Sequence, residues 1–451
     1  SMISSKLKRY QDIIAFEEID PNGLSRYVGF HASNLEVAEV SKEAFDEMSE
    51  ITVSDGEIPA FKKTLDVEAH DQLSDWNNEV NADARSGEIS FEIRSITLNV
   101  TQVCNLKCTY CAAGGDGTYG DPVTRISIEK TLPQLKFLIA GIKPNRKFHI
   151  SFVGGEPLLY PEGIQAIYDY VVEETKAKNI TPIFSLVTNG TVITDKVLDM
   201  FKKTKLHVTV SLDGEKKIND VMRPTRTGAS STDMTLDGIQ KLHSIKKYLG
   251  SFGISGVFNE MNQNISETYT FFNSLNPDWV EFNFAYSQAN RDLQLKYLEQ
   301  MNLIADRAWK KGQEPELRKI KVFDHYFGLL DSQQKIENHC GAGKSYLMVD
   351  AKNQLYPCVW SVGKPSEVVG TGTVINHSLL EKYQKPLIVL NNCQTCWARY
   401  LCGGGCMYIH EQHTGDKHKK DNLFCERTRS LILTSLLYYK KARAPESGLN
   451  P

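Results

Sequence analysis

The sequence predicts an α/β protein: strand–helix units that build a parallel sheet, open or curled into a barrel, between a small N-terminal unit and a cysteine-rich C-terminal segment. The first supporting observation is periodicity. From Ile89 to about Gly312, apolar strand runs alternate with amphipathic helical runs. The second is that the loops after these strands are rich in Gly, Asn, Asp and Glu, and ligands of such folds sit at the carboxyl ends of the strands. The third is the placement of ten cysteines among 451 residues. Three fall between Cys104 and Cys111, seven between Cys340 and Cys425, and none between Ala112 and His339.

In chain order, residues 1–90 read as a separate unit. Ser25–Phe30 and Leu35–Val40 are short strand runs joined by a turn at His31–Asn34, and Ser41 caps a helical pattern with Ala44, Phe45 and Met48 on one face. A polar, acidic stretch with weak helical periodicity follows, Asp66–Glu88. Residues 91–315 carry the alternating units. The strands are expected at Ser95–Val100, Lys147–Val153, Ile183–Val187, His207–Leu212, Ser251–Phe258 and Trp279–Phe284. Helices are expected at Ile126–Ala140, Glu162–Lys178, Asp195–Lys202, Ser231–Tyr248 and Ile265–Ser274. Residues 316–451 form a third segment, where Cys, Gly and turn residues dominate from about His339 and metal staples are needed to stabilise so small a core. Ala442–Pro451 reads as a solvated tail.

Composition narrows the function. Hydrophobic residues are 41% and charged residues 24%, as in a globular chain. No run approaches the ~20 apolar residues of a membrane helix, and Ser1–Lys6 lacks the apolar core of a secretory signal. A net charge of -3 gives no basic field for nucleic acid. Clustered cysteines in a chain of this kind point to metal or redox chemistry in a reducing cytoplasm.

Cys104-x3-Cys108-x2-Cys111 follows a strand. Three thiolates on one loop can hold three corners of a 4Fe–4S cube and leave the fourth iron open for chemistry. Zinc is the competing reading, although structural zinc takes four ligands from two paired hairpins. This loop, with the aromatic Tyr110 before its third cysteine, resembles the signature of the radical S-adenosylmethionine (SAM) superfamily. The resemblance covers roughly residues 95–290 and implies a partial six-stranded (β/α) barrel. It also implies that Gly154-Gly155-Glu156-Pro157 holds the amino group of the methionine moiety. By the same resemblance Asn189, in Thr188-Asn189-Gly190, is expected in the cofactor site, Ser211 and Asp213 are expected to contact ribose or nearby polar groups, and Arg223 is expected to pair with the methionine carboxylate, which suits a guanidinium fork.

The later spacing, Cys393-x2-Cys396-x5-Cys402-x3-Cys406 with Cys425 and the upstream Cys340 and Cys358, resembles the SPASM extension of that superfamily. The implication is two auxiliary 4Fe–4S clusters, three clusters in all. Cys393, Cys396, Cys402 and Cys425 match the outer cluster, and Cys340, Cys358 and Cys406 match the inner one. This sequence departs from the pattern twice. Asn353 stands where the family has glycine, and seven cysteines stand where eight would ligate both cubes fully. His339, Asp350 or water could replace the missing thiolate, or the iron could be reserved for a substrate thiolate.

The N-terminal unit resembles, in pattern only, the winged-helix-like element with which ribosomal-peptide maturases bind a leader peptide by β-augmentation; a structural cap on the barrel is the alternative. His410, His413 and His418, among Lys417, Lys419 and Lys420, read as a solvated loop. Together the resemblances imply an enzyme that forms a thioether in a cysteine-containing precursor peptide, as sactipeptide and ranthipeptide maturases do. Flavodoxin or ferredoxin would be the electron donor, with no nucleic acid and no membrane as partner. Carbon–carbon cross-linking, epimerisation or side-chain oxidation is the alternative chemistry, and an iron–sulfur or zinc peptide-binding protein is the alternative without catalysis.

Overall fold

The computed structural model describes residues 2–58, 67–78, 90–108 and 124–443. Five strands, β1 (Met2–Tyr10), β2 (Ile13–Ile19), β3 (Ser25–His31), β4 (Val37–Val40) and β5 (Ser49–Ile51), form an antiparallel sheet in the order β4-β3-β2-β1-β5. The expected hairpin is β3–β4, and Ser41 Oγ accepts the Ala44 N–H to start α1 (Lys42–Glu47). Tyr10, Ile13, Ala15, Tyr27 and Val40 pack with Phe45, Met48 and Leu73, the last from α2 (Val67–Asn78). The sequence reading missed β1 and β2 because both hide charge. The Lys8 ammonium donates to Phe45 O at 3.0 Å, and Arg9 is 1% exposed beside Asp12.

Next come β6 (Ser95–Thr101), α3 (Ile128–Ala140), β7 (Lys147–Gly154), α4 (Pro161–Lys176), β8 (Thr181–Thr188), α5 (Asp195–Lys203), β9 (Leu206–Ser211), α6 (Lys216–Met222), α7 (Ser231–Ser244), β10 (Ser251–Phe258), α8 (Ile265–Ser274) and β11 (Trp279–Phe284). Adjacent strands from β6 to β10 pair in parallel, and β11 borders β10. Every second residue of β7 (Phe148, Ile150, Phe152) is fully buried, the pattern a covered sheet face demands. Side-chain oxygens of Ser127, Thr194, Ser230 and Asn264 cap α3, α5, α7 and α8.

After α9 (Arg291–Leu317), kinked at Gly312–Gln313, and α10 (Lys321–Ser332), the chain returns to this sheet. There β12 (Tyr346–Val349) lies parallel to β6, and β13 (Gln354–Tyr356), β14 (Gly370–Thr371) and β15 (Val374–Ile375) extend it antiparallel. The whole sheet runs β11-β10-β9-β8-β7-β6-β12-β13-β14-β15, an α/β core in which β6 to β10 are parallel and in sequence order. At the β12–β13 turn Asn353 holds a left-handed φ of 61° that glycine would hold more freely. Its buried amide donates to Thr131 Oγ1 and Gln134 Oε1, both at 2.9 Å, which accounts for asparagine at that place.

Four more helices finish the described chain: α11 (Leu387–Leu390), α12 (Arg399–Cys402), α13 (Met407–Thr414) and α14 (Asn422–Arg443). Compactness divides the molecule into two units, one of residues 1–87, 284–340 and 385–451, the other of residues 88–283 and 341–384. The stretch 316–451 therefore contributes to both. In the first unit α14 packs along α9 and reaches β3 and β4; in the second, β12 completes the sheet. No described helix is long and apolar enough to cross a membrane.

Candidate functional site

The cysteine loop leaves β6 at Thr101, at the carboxyl end of the parallel sheet. Cys104 and Cys108 are partly exposed; Tyr110 and Cys111 lie outside the described residues. Two glycines at the end of β7 admit this loop. A Cβ on Gly154 would collide with Thr101 O, and one on Gly155 with Gln102 O and Val103 O. With neither present, the Gly155 and Glu156 N–H groups donate to Thr101 O and Val103 O, each at 2.8 Å. Gly154 and Gly155 thus let the backbone of the cysteine loop come close.

Glu156 is 1% exposed and its carboxylate is occupied. It accepts from the Asn189 N–H at 2.7 Å, from Leu158 N–H at 2.9 Å, and from Thr188 Oγ1 at 2.9 and 3.0 Å. Burial pushes its pKa up to about 7, against the lowering by these donors and by Arg223. Glu156 therefore ties the end of β7 to the end of β8. Asn189 in turn donates through Nδ2 to Asn105 Oδ1 at 3.0 Å, while Asn105 Nδ2 donates to Thr191 Oγ1 at 2.8 Å. Asn105, inside the cysteine motif, was not singled out from sequence; its role depends on a partner 84 residues away.

The loop is held from its other side by residues 223–226. Lys107 N donates to Pro224 O at 2.8 Å, Leu106 bridges Thr225, and Arg226 Nε donates to Cys104 O at 3.3 Å. Arg223 Nη1 donates to Cys108 Sγ at 3.6 Å, and its Nε pairs with Asp213 Oδ2 at 2.9 Å. Asp213 is fully buried, and its other oxygen accepts the Val257 N–H at 2.9 Å. Its carboxylate thus aims Arg223. Ser211 ends β9, half-buried, in register with Ser255 on β10. The predicted residues after β6, β7, β8 and β9 that the structure describes therefore stand at one end of one sheet, around a cation set against the Cys108 thiol.

A cavity of about 400 Å³ opens at the carboxyl ends of β6 and β12. Gln102, Thr124, Asp350, Gln354, Tyr356 and Val368 line it. Gln102 is 2% exposed, and its Oε1 has no partner among the described residues. Asp350 is committed to the β12–β13 turn, where Oδ1 accepts the Lys352 and Gln354 N–H groups at 2.9 and 2.8 Å. Cys358 lies in this unit at the start of the turn Val359–Ser361, its Sγ accepting the Trp360 N–H at 3.5 Å.

In the other unit Cys393, Cys396, Cys402 and Cys425 line one cavity with Arg399, Lys420 and Arg429. Gly403, Gly404 and Gly405 carry φ values of 74°, 93° and 80° between Cys402 and Cys406, a left-handed run that requires glycine at each position. Burial pushes the Cys393 thiol up to about 12, with the charges of Lys420 and Arg429 opposing it. Among the described residues no trio of His, Cys, Asp or Glu converges as one metal ion would require. A 4Fe–4S cube bonds each thiolate to a different iron, so its ligands stand further apart, and four thiols among cations suit its negative charge. Cys340 and Cys406 lie in this unit; burial raises the Cys406 pKa, and Cys340 adds to the rise. His339 Nδ1 faces Cys402 O at 3.3 Å.

Two of the three histidines expected in a solvated loop are structural, His410 and His413. His410 is fully buried, with Nε2 at 3.1 Å from Gly404 O and Nδ1 accepting the Asp421 N–H at 3.0 Å. His413 bridges Asp421 and Tyr286 O. His410 and His413 lie on α13, whereas His418 follows it, in the loop with Lys417, Lys419 and Lys420.

Comparisons bear on this geometry. The profile of the Radical SAM superfamily matches residues 98–272. A cysteine-type anaerobic sulfatase-maturating enzyme of Clostridium novyi is 25% identical over 76% of this chain and 95% of its own length. An uncharacterized protein of Methanocaldococcus jannaschii is 31% identical over 38% of this chain, and the match spans 54% of that relative. The solved structure of native anSMEcpe with bound AdoMet and Cp18Cys peptide shares the fold at 18% identity, with a TM-score of 0.62 over 78% of this chain and 99% of that one. Residues 98–272 of this chain are a radical SAM domain.

Proposed function

We propose that the chain is a radical SAM maturase that joins a cysteine sulfur of a ribosomally made peptide to a carbon of the same peptide, as a thioether. The residues suit the groups this reading requires. Cys104 and Cys108, with Cys111, would hold the first 4Fe–4S cluster beside Arg223. Cys393, Cys396, Cys402 and Cys425 would hold the outer auxiliary cluster, and Cys340, Cys358 and Cys406 the inner one. When bound, the first cluster supplies the electron that cleaves SAM to methionine and a hydrogen-abstracting 5′-deoxyadenosyl radical. The chain's own residues position and shelter this chemistry. Glu156 and Asn189 lock the loop to the strand ends, Asp213 aims Arg223 at the methionine carboxylate, and the cavity beside Gln102 and Tyr356 receives the peptide.

The observation that carries the thioether reading is the cysteine count. Seven C-terminal cysteines leave the inner set one thiolate short. Asp350, a candidate replacement, accepts two backbone N–H groups in its own turn. A substrate cysteine would complete the set and be held as a thiolate for bond formation. Oxidation of a side chain without a thioether is the second reading, favoured by the sulfatase-maturating relative. The N-terminal sheet, with β4 and β5 at its edges, is the proposed seat of the leader peptide.

The test uses anaerobically reconstituted chain, dithionite, SAM and a cysteine-bearing candidate peptide. The expected outcome is 5′-deoxyadenosine together with a peptide lighter by two hydrogens whose cysteine no longer alkylates. A product that still alkylates moves the assignment to the second reading. No 5′-deoxyadenosine, with iron fully loaded, overturns the enzymatic reading.

A further inference from the structure

Arg429 is a buried cation with unusual company. It is 6% exposed, and no carboxylate among the described residues pairs with it. Its Nε donates to Cys396 Sγ at 3.5 Å, and its Nη1 donates to Val53 O at 3.0 Å and Ser54 O at 2.9 Å. Three other arginines of this unit are compensated by carboxylates, whereas Arg427, also buried, donates to Gln294 Oε1 at 2.8 Å. Arg399 holds Asp12 at 3.0 Å, Arg9 lies 3.5 Å from the same carboxylate, and Arg291 pairs with Glu426. A buried charge without an opposite charge is costly. Here the opposite charge can come from the thiolates of Cys393, Cys396, Cys402 and Cys425, which line one cavity with Arg429.

The segment after β5 fixes the direction of this guanidinium. Besides the two carbonyls it accepts through, it places Gly56 where a Cβ would stand 2.6 Å from Arg429 Nη2 and 3.7 Å from Cys396 Cβ. The Gly56 and Glu57 carbonyls accept from Arg9 Nη1 at 3.4 and 3.3 Å. The segment is thus anchored to β1 on one side and to Arg429 on the other.

We infer that Arg429 is a positioning residue that raises the reduction potential of the outer auxiliary cluster, and that the Val53–Gly56 segment of the N-terminal sheet sets its aim. This rests on the reading of the four thiols as ligands of a 4Fe–4S cube. Reduction adds one electron and no proton, so the reduced cube is more negative. A cation and an N–H···S hydrogen bond both favour it.

The experiment is a dithionite titration followed by electron paramagnetic resonance on full-length reconstituted protein, with iron counted in each sample. A background of Cys104→Ala, Cys108→Ala and Cys111→Ala removes the first cluster and leaves the C-terminal signals, the inner cluster serving as internal reference. Arg429→Gln is expected to shift the outer cluster to lower potential. Arg429→Lys, which keeps the charge but not the fork, falls between it and the parent. Gly56→Ala, which alters neither the ligands nor any charge, shifts it the same way by a smaller amount. If Arg429→Gln loses iron, the other two variants decide. Unmoved potentials in Arg429→Lys and Gly56→Ala, with iron retained, overturn the inference. Zinc, or no iron, on the parent's C-terminal thiols overturns the cluster reading and the inference with it.

Discussion

Asp213→Asn should loosen the cofactor end of the sheet far more than loss of a surface ion pair would. The Asp213–Arg223 pair stands at 2.9 Å with side chains 0% and 11% exposed. An exposed pair contributes about 0–1 kcal/mol. Removing one partner of a buried pair costs about 3–5 kcal/mol, because the survivor keeps its charge without compensation. At about 1.4 kcal/mol per factor of ten, local opening should rise by about two to three and a half powers of ten. The natural probe is the Val257 amide, which donates to Asp213 Oδ1 at 2.9 Å, an acceptor that asparagine keeps. Its hydrogen exchange would be compared in the wild type, Asp213→Asn, Arg223→Gln and the double variant. Protection within about threefold of wild type, or single effects that add to within about 0.5 kcal/mol, would refute the argument that the two side chains act as a pair.

Three further predictions follow from the same geometry. Glu156 has a pKa raised from 4.5 to about 7, corresponding to about 3 kcal/mol that is present below about pH 4.5 and lost as pH rises through 7. Urea midpoints at about pH 5 and pH 8 should therefore fall more steeply for wild type than for Glu156→Gln, and parallel slopes would contradict this. Gly155→Ala drives a methyl group into the carbonyls of Gln102 and Val103, so, on the proposed three-cluster reading, reconstituted protein should lose about a third of its iron; full iron loading would show that the loop has room to move. Asp12→Asn removes the carboxylate shared by Arg9 and Arg399, which are 1% and 3% exposed, and thermal unfolding should report a loss of about 3–5 kcal/mol.

The parallel-sheet core was legible because its periodicity is local. Ser251–Phe258, Trp279–Phe284 and Ile265–Ser274 fall where the apolar pattern places them, and the other core strands differ by one or two residues at their ends. The N-terminal sheet was half visible, since a strand whose Lys8 and Arg9 are buried against distant carbonyls and Asp12 looks solvated in one dimension. Strands of two to four residues, such as β12 to β15, are too short to show any period. In the site, cysteine spacing named the loop and the C-terminal set. The locking of Glu156 by Thr188 and Asn189, the Asn105–Asn189 latch and the grip of Arg429 on Val53 and Ser54 rest on contacts 32 to 376 residues apart. No local pattern carries those.

The parallel pairing of β12 with β6 also sets a schedule for synthesis. Tyr346 pairs with Ser95, so one edge of β6 has no neighbour until 251 further residues have been made. At roughly 5–20 residues per second the ribosome needs about 10–50 s for that interval. Throughout it, the strand that presents the cysteine loop is an open edge of a nascent sheet, available to other chains. The late strand is short, yet its arrival closes that edge.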